Sequence, residues 1–303
     1  MFKNKFSFLA LILMLSLSVV LAACGSNEEA GTEGNDNEET TASIGEQVDY
    51  EIVGIDPGAG LMKLADKALE EYELEDWKVT AGSGAAMTAA LKKAYDDEEP
   101  IIVTGWTPHW KFSSFDLKYL EDPKGVFGGP EQVHTIVRPG LKEDLPGAYT
   151  VLDQFEWEPN NLEDVMLKIE NGMDPEEAAA EWVSENEELV NTWTEGAEEG
   201  SGEVTFTYVA WSDVIAGTNV ISHVLESLGY QTDLRQVEAA AMYAGVADGS
   251  ADALVGAWLP TTHEDYMNEY GDQLEDLGPN LDGTTLGLVV PAYMDIDSIE
   301  DLK

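Results

Sequence analysis

The chain has 303 residues, 44% of them hydrophobic, which is enough apolar material for one large core or two smaller ones and excludes disorder of the whole. Against 60 acids stand 15 Lys and Arg, a formal charge of -45 at pH 7 that excludes nucleic acid as a partner. A single cysteine, Cys24, excludes disulfides within one chain and any zinc-cysteine site.

Lys3 and Lys5 precede an uncharged apolar stretch over residues 6–23 that runs into Leu21-Ala22-Ala23-Cys24. This is the pattern of a lipoprotein signal peptide, 1–23, cleaved before Cys24, whose thiol then carries lipid such as palmitate-bearing diacylglycerol. The rival reading is a transmembrane anchor, since the stretch is about long enough to span; the Leu-Ala-Ala-Cys box at its end favours lipidation. Cleavage removes two lysines and no acid, taking the formal charge to -47. Residues 24–45 are polar and acidic with almost nothing apolar, and read as a disordered tether. Elsewhere the acids lie in short runs such as Glu70-Glu71, Glu176-Glu177 and Glu198-Glu199, the pattern of solvated faces and not of a metal cluster.

The folded part opens with Tyr-Glu-Ile-Val-Gly-Ile at 50–55, a short strand, followed by the loop Asp56-Pro57-Gly58-Ala59-Gly60. Leu61, Leu64, Ala65, Ala68, Leu69 and Tyr72 repeat at helical spacing, so this loop delivers backbone N–H groups at a helix amino terminus. A strand near 77–80, the segment Gly82-Ser83-Gly84, a helix near 85–95 and an apolar strand at 101–104 running to Trp106 complete one doubly wound α/β half. At 133–138 a strand crosses to the second half. Two amphipathic helices follow, the first with Leu162, Val165, Met166 and Ile169, the second opened by Asp174 as N-cap and Pro175 at N1.

The later half repeats the first plan. A strand at 204–210 stops at Trp211, and Val220, Ile221, Val224, Leu225 and Leu228 make a helical stripe closed by Gly229. Another strand near 232–237, a helix at 239–247 and a strand ending at Trp258 follow; 286–290 returns to the first half and 298–303 forms a short closing helix. The expected organisation is two lobes, 46–136 plus 289–303 and 137–288, joined by a two-strand hinge.

Most of the eight tryptophans read as structural: Trp182 and Trp193 lie 11 residues apart on one helical face, Trp77 begins a strand, and Trp157 sits in a polar loop. Trp110 reads either as cleft lining or as closure of the loop after Trp106. Trp106, Trp211 and Trp258 each end a strand on the side where open α/β sheets bind ligands. Any one of them is equally well explained as a core residue capping its sheet; three in matching places read as a cage.

A cage of indole faces suits a quaternary ammonium, which donates no hydrogen bonds, and three contacts contribute on the order of 2 to 6 kcal/mol gross. Micromolar binding needs about 8 kcal/mol, so the ligand requires a second handle. Two features at the same rim attract an anion: the N–H groups of Gly60 and Leu61 at the helix start, and His263, five residues beyond Trp258. Separately, the glycine loop reads equally well as a tight turn and His263 as a surface histidine. Jointly, a cage for N(CH3)3 and donors for COO⁻ describe a betaine. No His spacing for a metal, no nucleophile elbow and no Walker loop is present, so no catalytic residue, metal or cofactor is expected.

The segment 55–62, Gly-Trp-Thr-Pro-His-Trp at 105–110, Tyr208-Val209-Ala210-Trp211, and Ala257-Trp258-Leu259-Pro260 with His263 closely resemble the glycine betaine-binding lipoproteins of Gram-positive ABC importers, over essentially all of 46–303. The resemblance implies a two-lobed periplasmic-binding-protein fold of type II, with Trp106, Trp211 and Trp258 as a prism around the trimethylammonium and Gly60, Leu61 and His263 holding the carboxylate. It further implies a monomer at the extracytoplasmic face of the cell membrane, partnered by a permease and its cytoplasmic ATPase, serving osmoprotection. Proline betaine is the expected second ligand. Rival readings are a choline or carnitine receptor, a surface hydrolase using Asp56, Asp213 and His263, and an adhesive lipoprotein.

Overall fold

The computed structural model describes residues 42–303, which form one compact unit; the expected signal peptide, Cys24 and nearly all of the tether lie outside the described residues. After a one-turn helix α1 (Ile44–Gln47), closed by a reciprocal Ser43/Glu46 capping box, the chain forms β1 (Glu51–Val53), α2 (Gly60–Glu71) and β2 (Lys78–Thr80). The apolar stripe of α2 packs inward through Leu61, Met62, Ala65 and Ala68. Helix α3 (Gly84–Asp96) starts where the Ser83 hydroxyl accepts the Ala86 N–H, and β3 (Val103–Thr107), α4 (Lys111–Ser114) and β4 (Leu117–Tyr119) finish the first half.

The second half begins with β5 (Glu131–Val137) and five helices: α5 (Leu141–Asp144), α6 (Pro146–Gln154), α7 (Pro159–Glu170), α8 (Pro175–Glu185) and α9 (Glu187–Trp193). Then come β6 (Glu203–Tyr208), α10 (Ser212–Ser227), β7 (Gln231–Gln236), α11 (Ala239–Ala247), β8 (Ala253–Leu259) and α12 (Glu264–Tyr270). The long strand β9 (Glu275–Pro291) and a 3-10 turn at Ile299–Leu302 end the chain.

The strands run β2-β1-β3-β9-β5-β8-β6-β7, with β4 also on β9. In each half the strands of the repeated plan pair in parallel, β1 with β2 and β3, β6 with β7 and β8. Strand β9 is antiparallel to both sides: 275–284 pairs with β5, and 285–291 with β3 and β4. The molecule is therefore a two-lobed α/β protein of the periplasmic-binding-protein kind, its halves sharing one strand.

On this pairing β5 belongs wholly to the second half, and residues 285–288 to the first, so the sheet divides a few residues ahead of the breaks expected at 136 and 288. Trp182 and Trp193 also differ from expectation. The helix breaks at Asn186, whose side-chain amide donates to the Trp182 carbonyl at 2.8 Å, and the two indoles stack across the break from α8 and α9 at 6.0 Å. Trp157 packs edge-on against both, so the polar-sounding loop carries a core aromatic.

Candidate ligand-binding site

A cavity of about 280 Å³ opens between the halves, lined by Ile55, Ala59, Gly60, Leu61, Trp106, Trp211, Asp213, Trp258, Thr262, His263 and Leu286. All six residues expected to touch ligand, Trp106, Trp211, Trp258, Gly60, Leu61 and His263, lie on this one surface. Trp110 does not; it is buried behind it against His109 and Phe115.

Each wall is set by its local fold. Trp106 sits in β3 and Trp258 in β8, strands of almost wholly buried backbone, and the proline two residues after each follows a cis peptide bond. Trp211 is the N-cap residue of α10. The indole N–H groups all end on carboxylates: Trp106 donates to Asp213 Oδ1 at 3.1 Å, Trp258 to Asp213 Oδ2 at 3.2 Å, and Trp211 to Asp56 Oδ2 at 3.0 Å. With their edges so engaged, the rings present π faces, the part of an indole that attracts a cation. Burial raises the Asp213 carboxyl to about 6, against the stabilising effect of its donors at the start of α10.

At the other end of the cavity, α2 starts at Ala59, which has no side chain able to cap it. The amides of Gly60 and Leu61 at the first helical positions therefore keep their donor capacity, with the positive end of the helix dipole behind them. His263, 0% exposed, faces them. Its Nδ1 accepts the backbone N–H of Trp258 at 3.0 Å, which fixes Nδ1 as unprotonated; the Tyr243 hydroxyl, 2.9 Å away, then also donates to it. The ring proton must sit on Nε2, which has no partner among the described residues. Burial, aided by Lys63, pulls the histidine down to about 3, so it is a neutral donor. Glu131 holds the preceding loop by accepting from Thr262 N at 2.8 Å, and also from Thr261 N and the Thr262 hydroxyl.

Sequence reasoning missed Tyr243 and Glu131, which hold lining residues without lining the cavity themselves and carry no motif, and it placed Asp56 and Asp213 only as groups of a rival enzyme. Here both carboxylates are taken up by indole N–H groups, and His263 has its basic nitrogen occupied. Among the described residues no group of three or more His, Cys, Asp or Glu is arranged to hold a metal ion, and no helix is long and apolar enough to cross a membrane.

Two lobes sharing one strand, with an aromatic cavity between them that is also lined by helix-start amides and a buried histidine, are the architecture of a solute-binding receptor. The chain belongs to the family described as the substrate binding domain of ABC-type glycine betaine transport systems, whose model matches residues 34–185 and 202–303. It is 48% identical over 291 residues, 95% of each chain, to the glycine betaine/carnitine transport binding protein GbuC of Listeria monocytogenes serotype 1/2a (strain 10403S). Among solved structures it is similar to lactococcal OpuAC in its closed, glycine betaine-bound form, 46% identical over 52% of this chain and 63% of that one, TM-score 0.48. A glycine betaine/L-proline-binding protein (ProX) from Borrelia burgdorferi is 36% identical over 52% of this chain and 62% of that one, with the same TM-score. Both structural alignments span less than two thirds of the solved chain. Membership makes this a transport substrate-binding protein and not an enzyme.

Proposed function

We propose that the protein captures glycine betaine, and proline betaine beside it, between Trp106, Trp211 and Trp258, with the ligand carboxylate on the amides of Gly60 and Leu61 and on His263 Nε2. It passes the ligand to the membrane permease of an ABC importer driven by a cytoplasmic ATPase, in the service of osmoprotection. The observation that carries this reading is the tautomer of His263: a buried, uncharged N–H donor, without a partner among the described residues, on a cavity also lined by three indoles. A trimethylammonium fits the rings without competing for hydrogen bonds, and a carboxylate matches the donors. Choline offers no carboxylate, leaving buried donors unsatisfied at about 1–3 kcal/mol each.

Carnitine shares both charged ends, and the name of the Listeria relative favours it as a second ligand. Titrating the purified protein with glycine betaine, proline betaine, carnitine and choline, by tryptophan fluorescence and calorimetry, tests the assignment. The betaines should bind most tightly; a choline affinity above that of glycine betaine would overturn the carboxylate site, and no saturable signal with any would overturn the cage.

The anchor is a lipid on Cys24 at the extracytoplasmic face, with the receptor acting as a monomer. The supporting feature is the Leu21-Ala22-Ala23-Cys24 box closing an apolar run. Expressed in a Gram-positive host, the wild type should incorporate labelled palmitate and Cys24→Ser should not; a wild type without label, or equal labelling of the two, would exclude lipidation of Cys24.

A further inference from the structure

Two of the three indole N–H bonds cross from one half of the sheet to the other. Trp106, on β3 of the first half, donates to Asp213 on α10 of the second, and Trp211, at the start of α10, donates to Asp56 in the loop after β1. The third stays within the second half, where Trp258 takes the remaining oxygen of Asp213. We propose that Asp56 and Asp213 are positioning residues that latch the two lobes through the cage indoles, so that the rings facing the ligand also carry the closing contacts. The proposal rests on the reading of this cavity as a betaine site.

The geometry of indole makes the double role physically consistent. Its N–H lies in the ring plane and its π faces perpendicular to it, so one ring serves a carboxylate at its edge and a cation on its face without competition. Fixing the edge on a group of the opposite lobe fixes the face toward the cavity. Opening the cleft then removes a wall and strips a buried carboxylate of a donor together, since Asp213 is only 5% exposed. The Lys63–Asp265 pair also spans the halves at 2.7 Å, but both side chains are more than half exposed and such pairs contribute little.

The test is a pair of double-mutant cycles read by stopped-flow binding of glycine betaine. Asp56→Ala and Trp211→Phe, which keeps an aromatic face but has no N–H, should each raise the dissociation rate about tenfold or more, with little change in association rate. The double variant should be no worse than the poorer single within about twofold, because both remove one bond. Trp106→Phe with Asp213→Asn forms the second cycle, and if the buried Asp213→Asn does not fold, the first cycle decides. Melting temperatures of the ligand-free variants separate a latch from a general loss of stability. Unchanged dissociation rates, or effects that simply multiply, would overturn the latch while wild-type binding leaves the functional reading intact. Absence of binding by the wild type would overturn both.

Discussion

His263 and Lys111 are both buried nitrogen bases, and their surroundings give them opposite consequences. His263 is held neutral with its proton on Nε2, so it acts as a donor that carries no charge into the site. In the proposed binding mode, replacing it with Ala removes a hydrogen bond to the ligand carboxylate, an interaction of about 1.5–3 kcal/mol when one partner is charged. Glycine betaine affinity should fall roughly tenfold to a hundredfold, and choline affinity should stay as it was. Calorimetry with both ligands checks this, and an equal loss for the two would place His263 outside carboxylate recognition.

Lys111 is 0% exposed, its ammonium has no hydrogen-bond partner among the described residues, and it stands 4.3 Å from the Trp106 ring centre. Burial lowers it from 10.5 to about 7, opposed by Asp213. Between about pH 7 and 10.5 the unfolded chain therefore holds a proton that the folded chain does not, and stability rises with pH across that window. The destabilisation is complete below about 7. Asp213, raised to about 6, has the opposite slope, but its effect is complete above that pH and adds nothing in the Lys111 window. Lys111→Met should raise the melting temperature at pH 6–7 and flatten its climb toward pH 10; a variant curve parallel to wild type would show that Lys111 stays charged in the fold.

At the scale of elements, two glycines of one loop separate by what lies across the cleft. A Cβ on Gly60 would collide with the carbonyl of Thr262, which belongs to the opposite half, whereas a Cβ on Gly58 would meet nothing nearer than the Tyr266 hydroxyl at 4.0 Å. Gly60→Ala should therefore prop the lobes apart, weakening glycine betaine binding by about 1–3 kcal/mol, while Gly58→Ala leaves it within about twofold. Comparable losses for the two would mean that loop flexibility, and not the approach of Thr262, is what the glycine provides. Sequence places Gly60 at the helix start but says nothing of what a side chain there would meet; only the fold brings residue 262 against residue 60.

The same limit explains which elements were legible. Helix α11 falls on 239–247, where the sequence places it, and the strands carrying Trp106 and Trp258 and the strand leading to Trp211 are found near their apolar runs, because burial in a parallel sheet writes itself into local composition. The first half of β9 was not legible: Glu275 to Thr285 contains Gly278, Pro279 and Gly283 and no apolar run, and it is a strand because β5 pairs with it through repeated register shifts. The three cavity tryptophans could be singled out in sequence because Trp106 and Trp258 lie near the ends of apolar strands and Trp211 at the start of a helix. Tyr243 and Glu131 could not, since their roles depend on partners 20 and 130 residues away.

For the whole molecule, the excess of 60 acids over 15 basic residues dominates the surface. Ion pairs such as Lys92–Asp96 and Lys93–Asp97 are solvent-exposed, and pairs of that kind contribute about 0–1 kcal/mol each. Added salt screens both these attractions and the repulsion among unpaired carboxylates; the repulsion involves more groups and reaches further, so it is the larger quantity removed. As the screening length falls from about 30 Å at 0.01 M to about 3 Å at 1 M, the melting temperature should rise steadily. Potassium chloride and sodium chloride should act alike if screening is the cause, and chloride salts avoid the general stabilisation that sulfate gives by exclusion from protein surfaces. Glycine betaine affinity should change far less over the same range, because the zwitterion carries no net charge. Maximal stability in the most dilute buffer would show that the local ion pairs, and not the net charge, govern this surface.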